Sequence, residues 1–334
     1  MADLSTTYLG LKLKNPLVAA ASPYSRKTTG MRKLEDGGVS AIVMFSLFEE
    51  QIIREQMSLN YYLDKGSHST PEAQTYFVDL NYEIGSERYL ELIRKGKAEL
   101  SIPILASLNG DSKGSWLDMA KMMEEAGADA IELNLTNLTM NDEEDSCSLE
   151  AELLDSVQYI NSIIKIPLAV KLTPYVTGIV GLATKLVEAG VKGLVLFNRF
   201  FQTDLDIETL SVTHTLGLSN PYDLRRSIRW VGTLYSRVNA DLALSGGVHS
   251  GSDIIKSLMA GANVATTASE LLQNGAARAG QMLFEANNWL DEHEYESIAP
   301  MIGSMSKKSI ENPSAYERAN YMKALGSWDN RILN

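Results

Sequence analysis

A single cysteine, Cys147, stands in 334 residues, so no internal disulfide can form and a lone thiol fits a reducing cytoplasm. No run of about 18 uncharged apolar residues occurs, which excludes a hydrophobic spanning helix. The opening MADLSTTYLG lacks the basic start and apolar run of a signal peptide. A soluble, cytoplasmic protein is the expectation. Basic charge is scarce as well: 30 Lys and Arg against 42 Asp and Glu give a net charge of -12, which opposes nucleic-acid binding. The acidic run NDEEDSCSLE has neither histidines nor calcium-loop spacing, so it reads as solvated surface with no metal site. Its carboxylates also disfavour a reactive thiolate at Cys147.

What is present is ordinary globular material, 45% hydrophobic and 22% charged, in a chain long enough to bury a full core as one domain. Eight short apolar segments recur, at 17–22, 41–46, 102–108, 130–135, 168–172, 193–197, 242–245 and 263–267. Amphipathic stretches at 117–129, 181–193 and 252–263 lie between them, each closed by a glycine near the next strand. Apolar strands alternating with such helices predict a parallel sheet covered on both faces. Eight units predict a closed (β/α)8 TIM barrel. The alternative, an open doubly wound sheet, lacks the GxGxxG that would follow its first strand.

Two regions interrupt the rhythm. Residues 47–100 are too long for a simple crossover and are expected to add a helix and an extended lid over the C-terminal mouth. Residues 198–240 form a second insertion whose NRFFQTDLDIET and SVTHTLGLS stretches can form strands. The tail from 292 reads as partly helical, capping the barrel base or reaching a partner.

The most informative stretch is DLALSGGVHSGSDIIKSLMAGANVATTA, residues 241–268. Its strand, Gly-Gly turn and helix, followed by a second glycine turn and strand, build a phosphate cradle: glycines let backbone N–H groups approach an anion. Strand ends supply further candidates for one pocket: Asn109, Asn134, Lys171, Asn198, Ser245, Gly246, Gly247, Thr266 and Thr267. Lys171 lies in the apolar PLAVKLTP, where an unpaired ammonium is costly, so it reads as a cation facing an anionic or electron-rich cofactor. Asn134 and Asn198 fit amides that hydrogen-bond a heterocycle. His249, in SGGVHSG, reads as part of a solvent-facing turn ahead of a helix.

The segments LGLKLKNPLVAAAS, IPILASLNGD, GADAIELNLTN, PLAVKLTPY, GLVLFN and LALSGGVHSGSDIIKSLMAGA, taken in this order, resemble the class 1 dihydroorotate dehydrogenase family, FMN enzymes built on a TIM barrel. The resemblance implies that Ala21 and Ser22 touch the flavin, that Asn134 and Lys171 meet its ring and that Asn198 faces the pocket. It places the FMN phosphate on Gly246 and Gly247 together with backbone near Thr267 and Ala268. A lysine beside the ring stabilises the charge that develops on reduction. A homodimer, a pyrimidine-like substrate and a soluble electron acceptor or redox partner protein are also implied.

Three departures accompany the matches. Phe45 stands where the family has a lysine after the second strand. LNYEIG replaces the loop that holds the orotate ring, leaving Asn81 or Glu83 as substitutes. NLTNLTMN puts Asn137 at the position of the proton-abstracting cysteine or serine, and Thr139 where a second asparagine stands. A neutral amide has almost no basicity, which leaves Thr136 and Thr139 as weak relays. The leading expectation is hydride transfer between dihydroorotate, or a related dihydropyrimidine, and flavin N5. Two alternatives stand beside it: an FMN-binding electron-transfer or sensor subunit without dihydroorotate turnover, and a phosphosugar aldolase or isomerase using Lys171 as Schiff-base nucleophile.

Overall fold

The computed structural model describes residues 2–64, 85–110, 113–135, 141–199, 203–213, 216–317 and 320–332. A short antiparallel hairpin, β1 (Thr6–Tyr8) and β2 (Leu11–Leu13), comes first. There follow β3 (Leu17–Ala19), α1 (Thr28–Asp36), β4 (Ala41–Val43), β5 (Leu47–Phe48), α2 (Glu49–Asp64), α3 (Ser86–Glu99), β6 (Ile104–Gly110), α4 (Met119–Glu125) and β7 (Ala130–Leu135). The middle of the chain supplies α5 (Ser146–Ile163), β8 (Leu168–Leu172), α6 (Ile179–Glu188), β9 (Gly193–Leu196), β10 (Asp204–Asp206) and β11 (Ser211–Thr213). It closes with α7 (Leu224–Leu234), β12 (Asp241–Ser245), α8 (Gly251–Ala260), β13 (Val264–Thr267), α9 (Ser269–Asn274), α10 (Arg278–Glu292) and α11 (Tyr321–Ile332).

The strands β4-β3-β13-β12-β9-β8-β7-β6 pair in that order, all in parallel, and β6 returns to β4 to close the ring. This is the expected eight-stranded TIM barrel. All eight expected strands are present, four of them shorter than their apolar runs: β9 and β13 by one residue, β3 and β4 by three. β3 stops at Ala19, and a 3-10 turn begins at Pro23. β4 stops at Val43, and the Phe45 N–H is taken by the Ser25 hydroxyl at 2.7 Å instead of a neighbouring strand.

Within the barrel, small side chains such as Ala130, Ala169 and Ala243 form the lower layers and pack against Tyr8, Leu9 and Leu13 of the β1–β2 hairpin. The hairpin therefore plugs the base. Leu9 N–H anchors it to the Asp241 carboxylate at 2.7 Å. Gly193 makes room for it, because a Cβ there would lie 2.5 Å from Leu9 Cδ2. The tail, one candidate for that cap, pairs Glu296 and Ile298 with Asp3 just ahead of the hairpin and then crosses α7 and α8: Gly303 and Met305 N–H bond the Leu258 and Met259 carbonyls, and Lys307 N–H bonds Gly232, each at 2.9 Å.

The insertion after β9 contains the β10–β11 hairpin, as its strand-forming stretches predicted, and ends in α7, a helix of the outer ring. In the 47–100 region α2 is the added helix, while residues 65–84, with Asn81 and Glu83, lie outside the described residues. No helix among the described residues is long and apolar enough to cross a membrane.

Candidate active site

Toward the C-terminal ends of the strands the barrel changes character, and Ser107, Glu132, Asn134, Lys171, Ser245 and Thr266 are all buried there. Asn109, Asn134 and Lys171 are in register on the adjacent strands β6, β7 and β8. Lys171 Nζ lies 3.2 Å from Glu132 Oε1, and the two side chains are only 9% and 3% exposed. Glu132 precedes Asn134 by two positions on β7, so strand alternation aims both the same way. The pairing explains how an ammonium tolerates this interior: each charge offsets the other's desolvation.

Asn134 is held by its neighbours. Its Nδ2 donates to Ser107 Oγ at 3.1 Å, and Ser107 Oγ also meets Ser46 Oγ at 2.9 Å. The Tyr89 hydroxyl of α3 accepts from Ser107 N–H at 2.9 Å and donates to Ser107 C=O at 3.2 Å, clamping the strand from outside. Burial raises the Tyr89 pKa; the hydrogen bond with Ser107 counters this and the Glu132 charge adds to it. Burial likewise pushes the Tyr8 phenol well up, reinforced by the Glu132 and Asp241 carboxylates, so both phenols stay neutral donors at neutral pH.

Beside this layer opens a cavity of about 200 Å³. Ala21 and Ser22 reach it from the end of β3, Lys171 from β8 and Asn198 from the segment after β9. Ser245, Gly246 and Gly247 approach it from β12, Thr267 and Ala268 from β13. Nine of the eleven residues assigned to a cofactor from sequence therefore share one space. The other two, Asn109 and Asn134, do not line it: Asn134 is turned onto Ser107, and Asn109 sits two strands from Lys171. Thr136, Asn137 and Thr139 lie outside the described residues.

The cradle has specific backbone demands. Gly246 and Gly247 have φ of 88° and 82°, a region that favours glycine. A Cβ on Gly247 would come within 2.2 Å of the Leu224 backbone nitrogen, so the turn is pressed against the start of α7. Thr267 Oγ1 donates to Val248 C=O at 2.8 Å and ties the two arms together. Thr266 Oγ1, also at this cavity, is buried without a hydrogen-bond partner among the described residues.

Behind the cradle lies a polar array that the sequence did not reveal. His249 is not a solvent-facing turn residue: its side chain is 10% exposed, with Nδ1 2.8 Å from Glu270 Oε2 and Nε2 3.3 Å from Ser219 Oγ. The burial has a physical cause: α9 and the 217–223 segment fold over the histidine from both sides. Arg278 donates to Glu270 Oε1 at 2.7 Å and also pairs with Glu285. Burial alone would raise the Glu270 pKa, but hydrogen bonds from Arg278 and His249 bring it below its usual value. A lone Ser or Glu gives no sequence signal for such an array. Glu132, by contrast, was discoverable, because a charge inside the apolar AIELNL invites the same question as Lys171.

Phe45 occupies a buried position after β4, edge-on to Tyr89 at 4.9 Å, with the Arg26 guanidinium 5.8 Å from its ring centre. Cys147 is exposed in the first turn of α5, away from the cavity lining. A wider groove of about 890 Å³ lies at the opposite end, beside Leu168, Lys192 and Asp241. Barrel enzymes place their chemistry at the C-terminal ends of the strands, so the smaller cavity is the candidate site.

Residues 81–290 match the family model described as dihydroorotate dehydrogenase. The chain belongs to the dihydroorotate dehydrogenase family. It is 28% identical over 317 residues to a dihydroorotate dehydrogenase B (NAD(+)) catalytic subunit from Thermoplasma volcanium, covering 92% of this chain and 100% of that protein. A protein of the same description from Methanocaldococcus jannaschii is 28% identical over 284 residues, covering 81% of this chain and 88% of the other. The chloroplastic dihydropyrimidine dehydrogenase (NADP(+)) of Arabidopsis thaliana is 24% identical over 328 residues, 90% of this chain and 76% of the relative. Membership in the dihydroorotate dehydrogenase family supports an oxidoreductase-type catalytic function and implies an FMN-binding class of enzyme.

Proposed function

We propose that this member of the family is an FMN-dependent oxidoreductase acting on the CH–CH bond of dihydroorotate or a related dihydropyrimidine. The observation that carries the reading is a single cavity joining a glycine cradle to a buried lysine. The residues fit FMN. The Gly246–Gly247 turn can take the phosphate, and Thr266, whose buried hydroxyl has no hydrogen-bond partner among the described residues, lines the same space. Ala21, Ser22, Asn198, Ser245, Thr267 and Ala268 are among the residues that line the rest of the space. When bound, FMN supplies the acceptor for the hydride removed from the substrate.

Lys171 holds a positive charge at the cavity wall, where it favours a cofactor that becomes more anionic. Glu132, 3.2 Å away, fixes that side chain in direction. Asn134, its amide nitrogen committed to Ser107, retains a carbonyl oxygen able to accept a hydrogen bond. Asn109 completes the polar row at the neighbouring strand end. Asn137 cannot serve as base, so Thr136 and Thr139 are left to relay the substrate proton to solvent water, since a threonine hydroxyl does not keep it. Electrons then pass to a soluble acceptor or a redox partner protein. The exposed Leu205, Ile207, Leu210 and Val212 of the β10–β11 hairpin support a homodimer.

Phe45 in place of a pocket lysine favours a second reading, a flavin-binding electron-transfer or sensor subunit that turns over no dihydropyrimidine. The Schiff-base alternative is disfavoured, because Lys171 is engaged as an ammonium by Glu132. One experiment separates the three: an anaerobic visible spectrum of the FMN-reconstituted protein before and after dihydroorotate or dihydrouracil. Bleaching supports the dehydrogenase; bound flavin that stays oxidised supports the subunit; failure to bind flavin removes both.

A further inference from the structure

The array behind the cradle is not used by the hydride-transfer reading, yet it ends at the cavity wall. Ser219 is 8% exposed and lines both the 200 Å³ cavity and an adjoining one of about 100 Å³. Its Oγ is 2.9 Å from Ser269 Oγ, 3.3 Å from His249 Nε2 and 3.4 Å from the Gly247 nitrogen. The Ser219 backbone N–H also donates to Ser269 Oγ at 2.9 Å, fixing the residue from a second direction. Next in the chain comes Glu270, whose Oε2 meets His249 Nδ1 while Arg278 secures Oε1. The loop carrying Ser219 is braced by Arg199, whose Nε donates to Gly217 C=O at 2.7 Å and whose Nη1 reaches Asp223 at 2.8 Å.

A serine hydroxyl carries one proton and two lone pairs, and its rotor is normally free. Here three neighbours restrict it, all belonging to the cradle or to residues directly behind it. The arrangement orients a donor beside the turn on which a phosphate would sit.

We propose that Ser219 is a side-chain ligand for the phosphate monoester seated on the Gly246–Gly247 turn, with His249, Ser269 and Glu270 as its positioning residues. The inference rests on the FMN reading of the cavity and adds to it the source of discrimination between FMN and riboflavin. On binding, the Ser219 hydroxyl turns its one proton from Ser269 Oγ to a phosphate oxygen, an arrangement that requires His249 to donate from Nε2 while its Nδ1–H serves Glu270, and the Ser269 contact to the Ser219 backbone keeps the residue in place. Riboflavin, lacking the phosphate, gains nothing from this group.

The test is a pair of titrations, FMN and riboflavin, into the full-length apoprotein, read by quenching of flavin fluorescence. Ser219→Ala should weaken FMN by about tenfold or more, the worth of a hydrogen bond to a charged group, and leave riboflavin affinity unchanged. Ser219→Thr, which keeps the hydroxyl, should retain the wild-type ratio of the two affinities. His249→Ala should lower that ratio in the same direction, and His249→Gln, whose amide can still reach the hydroxyl, should restore part of it. Equal weakening of both flavins by Ser219→Ala and His249→Ala would show a structural role and overturn the proposal, as would an unchanged ratio in both. Wild-type protein that binds neither flavin overturns the FMN reading itself, a result visible before any variant is made.

Discussion

Lys171 and Glu132 form the pair on which the site's electrostatics turn, and each is held in the barrel by the other. Removing one partner leaves an uncompensated buried charge. Lys171→Met or Glu132→Gln alone should therefore cost about 3 kcal/mol, and the double variant less than the sum, in urea unfolding of the apoprotein. A lysine variant without loss of stability would mean that the pair is not formed. Glu270 gives a second residue-scale test. Its folded pKa lies below the usual value of about 4.5, so its stabilisation is fully present above that pH and fades as pH falls through the folded value. The melting-temperature gap between wild type and Glu270→Gln should thus be widest near neutrality and close below about pH 4.5. Lys171 was legible in the sequence because a charge interrupts an apolar strand. Ser219, His249 and Glu270 were not legible as a group, because their 30- and 21-residue separations meet only in the folded chain.

At the scale of elements, the strands were legible from apolar runs bounded by glycine and proline, and the cradle from its glycines. The ends of β3 and β4 were not, because a side chain, Ser25, takes the Phe45 N–H that a longer strand would have given to the sheet. Nor was the role of the first hairpin: β1 and β2 are only three residues each, and nothing in TTYLGLKL announces a plug. Gly193→Ala tests that role. The added methyl would meet Leu9 at 2.5 Å and should cost about 1–3 kcal/mol in thermal or denaturant unfolding. Adding Leu9→Ala should recover part of the loss, a coupling that an unplugged base would not produce.

For the whole molecule, the barrel and its family were legible, since eight alternating units and a run of ordered motifs all point one way. Assembly is a property of surfaces that no periodicity encodes. Leu210 is 89% exposed and Ile207 78%, an apolar surface that the proposed homodimer would cover. Light scattering should give twice the mass of one 36.7 kDa chain, and Ile207→Glu with Leu210→Glu should halve it. A wild-type monomer would remove the dimer.

The hairpin plug also governs traffic. With Tyr8, Leu9 and Leu13 filling the base, the barrel is a vessel with its working opening at the strands' C-terminal ends. In the proposed reaction with a small soluble acceptor, reductant and oxidant would use that doorway in turn, the first product leaving before the second reactant takes its place. Initial-rate plots at several acceptor concentrations should accordingly be parallel lines, the signature of a queue.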